Sequence, residues 1–137
     1  MKSLKELYNL SYDESGFESG LIRWYNKVIN KSVDELKITD VAKMIRQNIL
    51  LDIAIKQAIE LFFLAPYNGE YQNGDILSLL VTLDLSQIDN DKLKKLKIFI
   101  QELKNKYAYF DWENEKSKDK YAEELDVLEM NAINLII

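Results

Sequence analysis

Residues 38–83 read ITDVAKMIRQNILLDIAIKQAIELFFLAPYNGEYQNGDILSLLVTL, and the fold turns on how this stretch is parsed. Thr39 and Asp40 suit a helix start: a side-chain oxygen can accept from free N–H groups, and an acid sits at the positive end of the helix dipole. Val41, Met44, Ile45, Ile49, Ile53, Ile59, Leu61 and Phe62 then return to one broad side at helical spacing. Lys43, Arg46, Asp52, Lys56 and Glu60 fall largely on the other. Around Ile49 to Ile55 the run is apolar almost all round, the pattern of a helix buried on most sides. The spacing predicts one central helix near 39–63, around which the rest of the chain packs.

The loop after it runs from Ala65 to Asp75. Pro66, the only proline, cannot continue a helix, and Asn68-Gly69 and Asn73-Gly74 are turn dipeptides. A second helix is expected from Ile76 to Leu83. Within the loop, Tyr67, Glu70, Tyr71 and Asp75 form the most suggestive constellation. Tyrosines on a turn-rich loop offer large contact area with little entropy loss, and acids beside them can accept from Arg or Lys. The plainer reading is that Gly and Pro reverse the chain while the tyrosines cover the core edge. Calcium is rejected here, because the spacing of acids and the closing Glu of a calcium loop are missing.

Composition narrows the function classes. A chain of 137 residues, 47% hydrophobic and 30% charged, fits one globular domain with apolar material for a core. No uncharged apolar run approaches the roughly 18 residues of a membrane span. The start MKSLKELYNL lacks the apolar core of a signal peptide, so a cytoplasmic location is expected. There is no cysteine, which removes disulfides and thiolate metal sites. There is no histidine, so the commonest general base and the commonest zinc ligand are both missing. An enzyme would have to rest on carboxylates, Lys or Tyr. The expectation is a protein that is not an enzyme and carries no cofactor or metal.

Charge is uneven. Residues 91–106 carry six lysines against Asp91 and Glu102, whereas residues 111–129 carry eight acids against three lysines. The chain as a whole is at −5. Such a balance suits a basic protein partner better than a nucleic-acid backbone, which demands a basic footprint.

Taken in order, Ser3 and Glu6 have capping-box spacing ahead of Leu4, Leu7 and Tyr8. Asp13, Glu14 and Glu18, interleaved with Tyr12 and Phe17, read either as a solvated loop or as an acidic docking loop with aromatic anchors. Ser19 or Gly20 opens a helix to about Asn30, with Leu21, Trp24, Tyr25 and Val28 on one face and Trp24 in the core. Ser32 and Glu35 repeat the capping-box spacing for a single turn. Asp89 or Asn90 can cap a helix to about Lys106 with Leu93, Leu96, Phe99, Ile100 and Leu103 as its stripe. Lys92, Lys94, Lys95 and Lys97 crowd its first half, where the dipole disfavours cations. Tyr107 to Trp112 is aromatic and could be a short strand, but no partner strand is evident. Asp111, Glu113 and Glu115 follow, and a last helix is expected from about Ser117 to Asn134, with Tyr121, Leu125, Leu128 and Ile133 in the core and the apolar tail docked.

The motif string resembles a known family. Leu4 and Leu7, then Ile38-Thr39-Asp40-Val41 with Met44, Ile45 and Gln47, then Ala58-Ile59-Glu60, then Pro66, Gly69-Glu70-Tyr71 and Gly74-Asp75-Ile76-Leu77 look like the small α-helical immunity proteins of bacterial contact-dependent growth inhibition (CDI) systems. The resemblance covers about residues 3–103 and leaves 107–137 as a C-terminal helical extension of the same domain. One departure is Leu50, where many relatives carry a glycine; that glycine is expected to allow close helix contact. The resemblance implies an all-α, single-domain bundle of about five to six helices. It implies a cytoplasmic protein that binds a cognate CDI toxin C-terminal domain one-to-one, the toxin being a basic nuclease, with no direct contact to nucleic acid or membrane. The toxin-binding candidates are Tyr67, Glu70, Tyr71 and Asp75; Asp111, Trp112, Glu113 and Glu115; and Asp13, Glu14 and Glu18. Two other classes stay open: a helical nucleic-acid-binding regulator using Lys92 to Lys97, and an enzyme pairing Glu70 with Asp75.

Overall fold

A computed structural model describes residues 1–14 and 19–137. Among the described residues the chain is all-helical: α1 (Leu4–Leu7), α2 (Gly20–Val28), α3 (Ile38–Arg46), α4 (Leu51–Leu64), α5 (Asp75–Leu80), α6 (Asn90–Lys104) and α7 (Glu115–Leu135). Short 3-10 turns lie at Val33–Glu35 and Tyr107–Tyr109. The aromatic run after α6 is therefore a turn and not a strand.

Helix starts follow the local chemistry. The Ser3 and Ser32 capping boxes both form, and Ser19 Oγ accepts from the Ile22 N–H at 3.1 Å. Asp89 caps α6 by accepting from the Lys92 N–H at 2.8 Å. Each satisfies an N–H that the first helical turn leaves unpaired.

The expected central helix is two helices. Residues 47–50 interrupt it, with Asn48 at φ 53° and Leu50 at φ 46°. The Ile49 N–H still reaches the Met44 carbonyl at 2.8 Å, closing α3 with a tight turn before α4 restarts. Two left-handed residues cannot lie inside a right-handed helix, so periodicity continues in the sequence while the axis breaks. The break also gives Leu50 a backbone role. Leu50 sits at a positive φ that glycine adopts without steric cost, and leucine holds the conformation at a cost of about 1–2 kcal/mol.

The core runs through every long helix. Met44 from α3, Ala58 and Phe62 from α4, Leu77 and Leu80 from α5, Leu96 and Ile100 from α6, and Leu125 and Leu128 from α7 are all fully buried. Phe99 of α6 meets Phe62 and Phe63 of α4 edge-on, with centroids 5.4 and 5.2 Å apart. α6 and α7 make the most extensive helix pair, tied at one end by Lys104 to Asp126 and Glu129 at 2.7 and 2.6 Å. Burying each large side chain of α7 contributes about 2 kcal/mol, so the extension is part of the core. Several expected core positions lie further out. Leu7, Leu21 and Ile133 are exposed, Trp24 is half-buried beneath the Lys43 ammonium, and Ile137 is fully exposed while Leu135 and Ile136 dock.

Of the four lysines at the start of α6, Lys92 has a partner across the bundle. Its ammonium pairs with Glu60 of α4 and lies 5.5 Å from the Phe63 ring centroid. A direct ion pair outweighs the weak dipole penalty. Lys94 and Lys95 are exposed.

Candidate functional site

The loop between α4 and α5 is built from the inside. The Gly74 N–H donates to the Tyr67 carbonyl at 2.7 Å, and the Ile76 N–H to the Asn68 carbonyl at 3.0 Å, closing the loop on itself. The Asp75 carboxylate accepts from the Tyr71 and Gln72 N–H groups at 2.9 and 2.8 Å. Gly69 has no room for a side chain, since a Cβ there would lie 1.6 Å from the Gln72 carbonyl oxygen. Gly74 sits at φ 89° with the Tyr121 ring against it. These two glycines are therefore required by backbone shape.

Glu70 is turned inward. Its carboxylate takes both arms of the Arg46 guanidinium, Nη1 at 3.0 Å and Nη2 at 3.2 Å, and its side chain is only 12% exposed. The same contact holds the Arg46 guanidinium above its usual pKa, through the hydrogen bond first and the nearby charge second. Glu70 and Asp75 thus have separate partners, a guanidinium and two backbone N–H groups. Tyr71 is different: it stands 85% exposed.

Tyr67 leads out of the loop into an aromatic cluster. Its ring stacks on Phe110 with centroids 4.3 Å apart, and meets Trp112 edge-on at 5.7 Å and Tyr121 at 5.4 Å. Trp112 also packs on Phe110 and Tyr121, at 4.8 and 4.9 Å, and its Nε1–H donates to the Tyr107 carbonyl at 2.7 Å. The Tyr121 hydroxyl donates to the Pro66 carbonyl at 2.7 Å. Burial pushes the hydroxyl pKa of both Tyr67 and Tyr121 up. Both phenols stay neutral through the ordinary pH range, and that of Tyr121 keeps its proton on the Pro66 carbonyl.

The cluster joins two stretches that the sequence keeps forty residues apart. Residues 107–115 lie directly against the α4–α5 loop. Asp111, Glu113 and Glu115 are exposed beside it, and Glu115 pairs with Lys118 at 3.8 Å. Trp112 is half-buried and serves the cluster. Tyr109, 89% exposed, belongs to the same segment and was not among the candidates. Its signal was available in the alternation Tyr107-Ala108-Tyr109-Phe110, in which not every ring can face inward.

Of the third candidate set, Glu18 lies outside the described residues. Asp13 and Glu14 are exposed on a segment bonded to α2, with the Asp13 N–H on Asn26 Oδ1 at 2.8 Å and the Tyr12 hydroxyl on Asn30 Oδ1 at 2.9 Å. Among the described residues, no group of three carboxylates converges as a metal site would require, and no helix is long and apolar enough to cross a membrane. A groove of about 600 Å³ lies at the Leu50 break, lined by Tyr8, Val33, Leu50, Leu51, Asp52, Ile53 and Lys56, none of which belongs to the aromatic cluster.

The described residues thus form an all-helical bundle in which two adjoining segments leave Tyr71, Tyr109, Asp111, Glu113 and Glu115 exposed. Comparison with known families places it more narrowly. Residues 6–98, more than half of the chain, match the CDI immunity proteins, and the protein belongs to that family. The match contains the Arg46–Glu70 loop in full and ends before the 107–115 segment. No curated protein matches the sequence.

Proposed function

We propose that this protein neutralises the toxin domain of its own CDI system by binding it one-to-one in the cytoplasm. The toxin in this reading is a nuclease whose basic substrate cleft receives acids from the immunity protein. The contact face comprises Tyr71, Tyr109, Asp111, Glu113 and Glu115. The observation that carries the reading is the stacking of Tyr67 on Phe110, which joins the family loop to the acidic segment beside these five exposed side chains. Tyrosines have few side-chain torsions to order on docking, and carboxylates around them speed encounter with a cationic partner and exclude others. Glu70 and Asp75 act in this face as shapers of the loop. Full protection requires nanomolar or tighter affinity, about −12 kcal/mol or beyond.

Calorimetry against the toxin domain encoded beside this gene, with a nuclease assay on the same samples, tests the reading. Wild-type protein binds tightly at one-to-one stoichiometry and silences the toxin. The double variant Asp111→Lys with Glu113→Lys binds about 10- to 100-fold more weakly while its unfolding midpoint is unchanged. Unchanged affinity removes this face, and absence of wild-type binding removes the whole reading.

A further inference from the structure

The α4–α5 loop holds two Asn-Gly pairs, Asn68-Gly69 and Asn73-Gly74, both with an exposed asparagine. An asparagine followed by glycine can close on itself: the next backbone nitrogen attacks the side-chain amide carbon, and no Cβ obstructs the approach. The two pairs are not held alike. At Asn73 the attacking nitrogen would be that of Gly74, whose N–H is given to the Tyr67 carbonyl at 2.7 Å. Gly74 is also buried and fixed at φ 89° against the Tyr121 ring. At Asn68 the attacking nitrogen is that of Gly69. Among the described residues its N–H makes no backbone hydrogen bond, and it points at the Asn68 Oδ1 itself, at 2.9 Å. With an ordinary C=O length, that places the nitrogen no more than about 4.1 Å from the amide carbon.

We infer that Asn68 is a site of spontaneous deamidation in the folded protein and that Asn73 is protected by the fold. In the first step the Gly69 nitrogen bonds to Asn68 Cγ, the Cγ–Nδ2 bond breaks, and ammonia leaves carrying the proton lost from the Gly69 nitrogen. Water then opens the cyclic imide at either carbonyl, giving aspartate or isoaspartate at residue 68. Both products add one negative charge to the loop. The isoaspartate also lengthens the main chain by one atom between Asn68 and Gly69. That position lies between the Asn68 carbonyl, which receives the Ile76 N–H, and Glu70, which holds Arg46. The chemistry depends on the loop geometry alone and not on which partner the protein binds.

The test is incubation of the folded full-length protein at mildly alkaline pH, followed by peptide mapping with mass spectrometry and enzymatic labelling of isoaspartate. A sample in strong denaturant runs in parallel. In denaturant both asparagines convert at similar rates, since both precede glycine. In the folded protein Asn68 converts and Asn73 lags by about tenfold or more, the factor expected when a backbone hydrogen bond must first be broken. An Asn73→Gln variant, in which only one pair remains, accumulates the acidic form at the wild-type rate. Conversion of Asn73 as fast as Asn68 in the folded protein overturns the inference. So does a folded sample in which neither converts while the denatured one does.

Discussion

Arg46, at the end of α3, and Glu70, in the α4–α5 loop, face each other as a two-pronged ion pair, with Nη1–Oε1 at 3.0 Å and Nη2–Oε2 at 3.2 Å. A glutamate that reads as a docking acid in the sequence is a strut that ties the loop to the helix break. Glu70→Lys should therefore do more than weaken a partner's grip, because it sets two cations against each other. A loss of about 1–2 kcal/mol in urea unfolding is expected, held to that size because Arg46 is half exposed. The charge-swapped double variant Arg46→Glu with Glu70→Arg should recover most of it. Equal losses in single and double variants would show that the pair is not coupled.

Tyr121 tests the link between extension and loop. Tyr121→Phe keeps the ring and removes the hydroxyl that meets the Pro66 carbonyl, for an expected loss of about 1 kcal/mol. Tyr121→Ala empties the cluster and should cost about 3–5 kcal/mol. A Phe variant as unstable as the Ala variant would point to a role for the hydroxyl beyond this hydrogen bond.

Tyr67 and Tyr71, four residues apart, should separate stability from binding. Tyr67→Ala is expected to destabilise by about 3 kcal/mol through loss of its stacked contacts. Tyr71→Ala should leave the unfolding midpoint within about 0.5 kcal/mol of wild type. It should also weaken toxin binding by about tenfold, as removal of an exposed aromatic anchor does. Paired unfolding curves and calorimetric titrations read both quantities.

Leu50 offers a backbone test. Leu50→Gly relieves the left-handed strain but loses a partly buried side chain, and the two effects should nearly cancel in a denaturation curve. Leu50→Ile keeps the apolar volume but adds a β-branch at positive φ, and should cost about 1–2 kcal/mol. Equal stability of the Ile variant and wild type would contradict the conformation at this residue.

Asp40 sets part of the acid sensitivity. Burial alone would raise its pKa, but the Lys31 ammonium at 2.8 Å, the Lys37 N–H at 3.1 Å and the Trp24 indole hold it below its ordinary value. A carboxyl with a depressed folded pKa contributes stability above its unfolded pKa of about 3.9 and loses it as pH falls through the folded value. Asp40→Asn should thus be less stable than wild type at pH 7, and the gap should close below about pH 4. A gap that stays constant down to pH 2 would remove Asp40 from the acid response.

Much of this molecule was legible from the chain alone. Helix type follows from spacing and caps, because Ser3 with Glu6 and Ser32 with Glu35 satisfy their N–H groups within a single turn. The family follows from the motif string, in which Pro66, Gly69 and Gly74 mark where the backbone must turn. Other features needed the tertiary structure. Periodicity carries no information about φ, so the break at Asn48 and Leu50 was invisible under an unbroken apolar pattern. A carboxylate's partner is a matter of distance in space, so the sequence could not say that Glu70 faces Arg46 while Asp111 and Glu113 face solvent. Nor could it show that residues 107–115 close over the loop at 66–75, since that contact is made by rings from three separate segments meeting in one cluster. Local chemistry acts within a turn or two of the chain and is written there; side chains that meet across forty or more residues are selected only when the whole core packs.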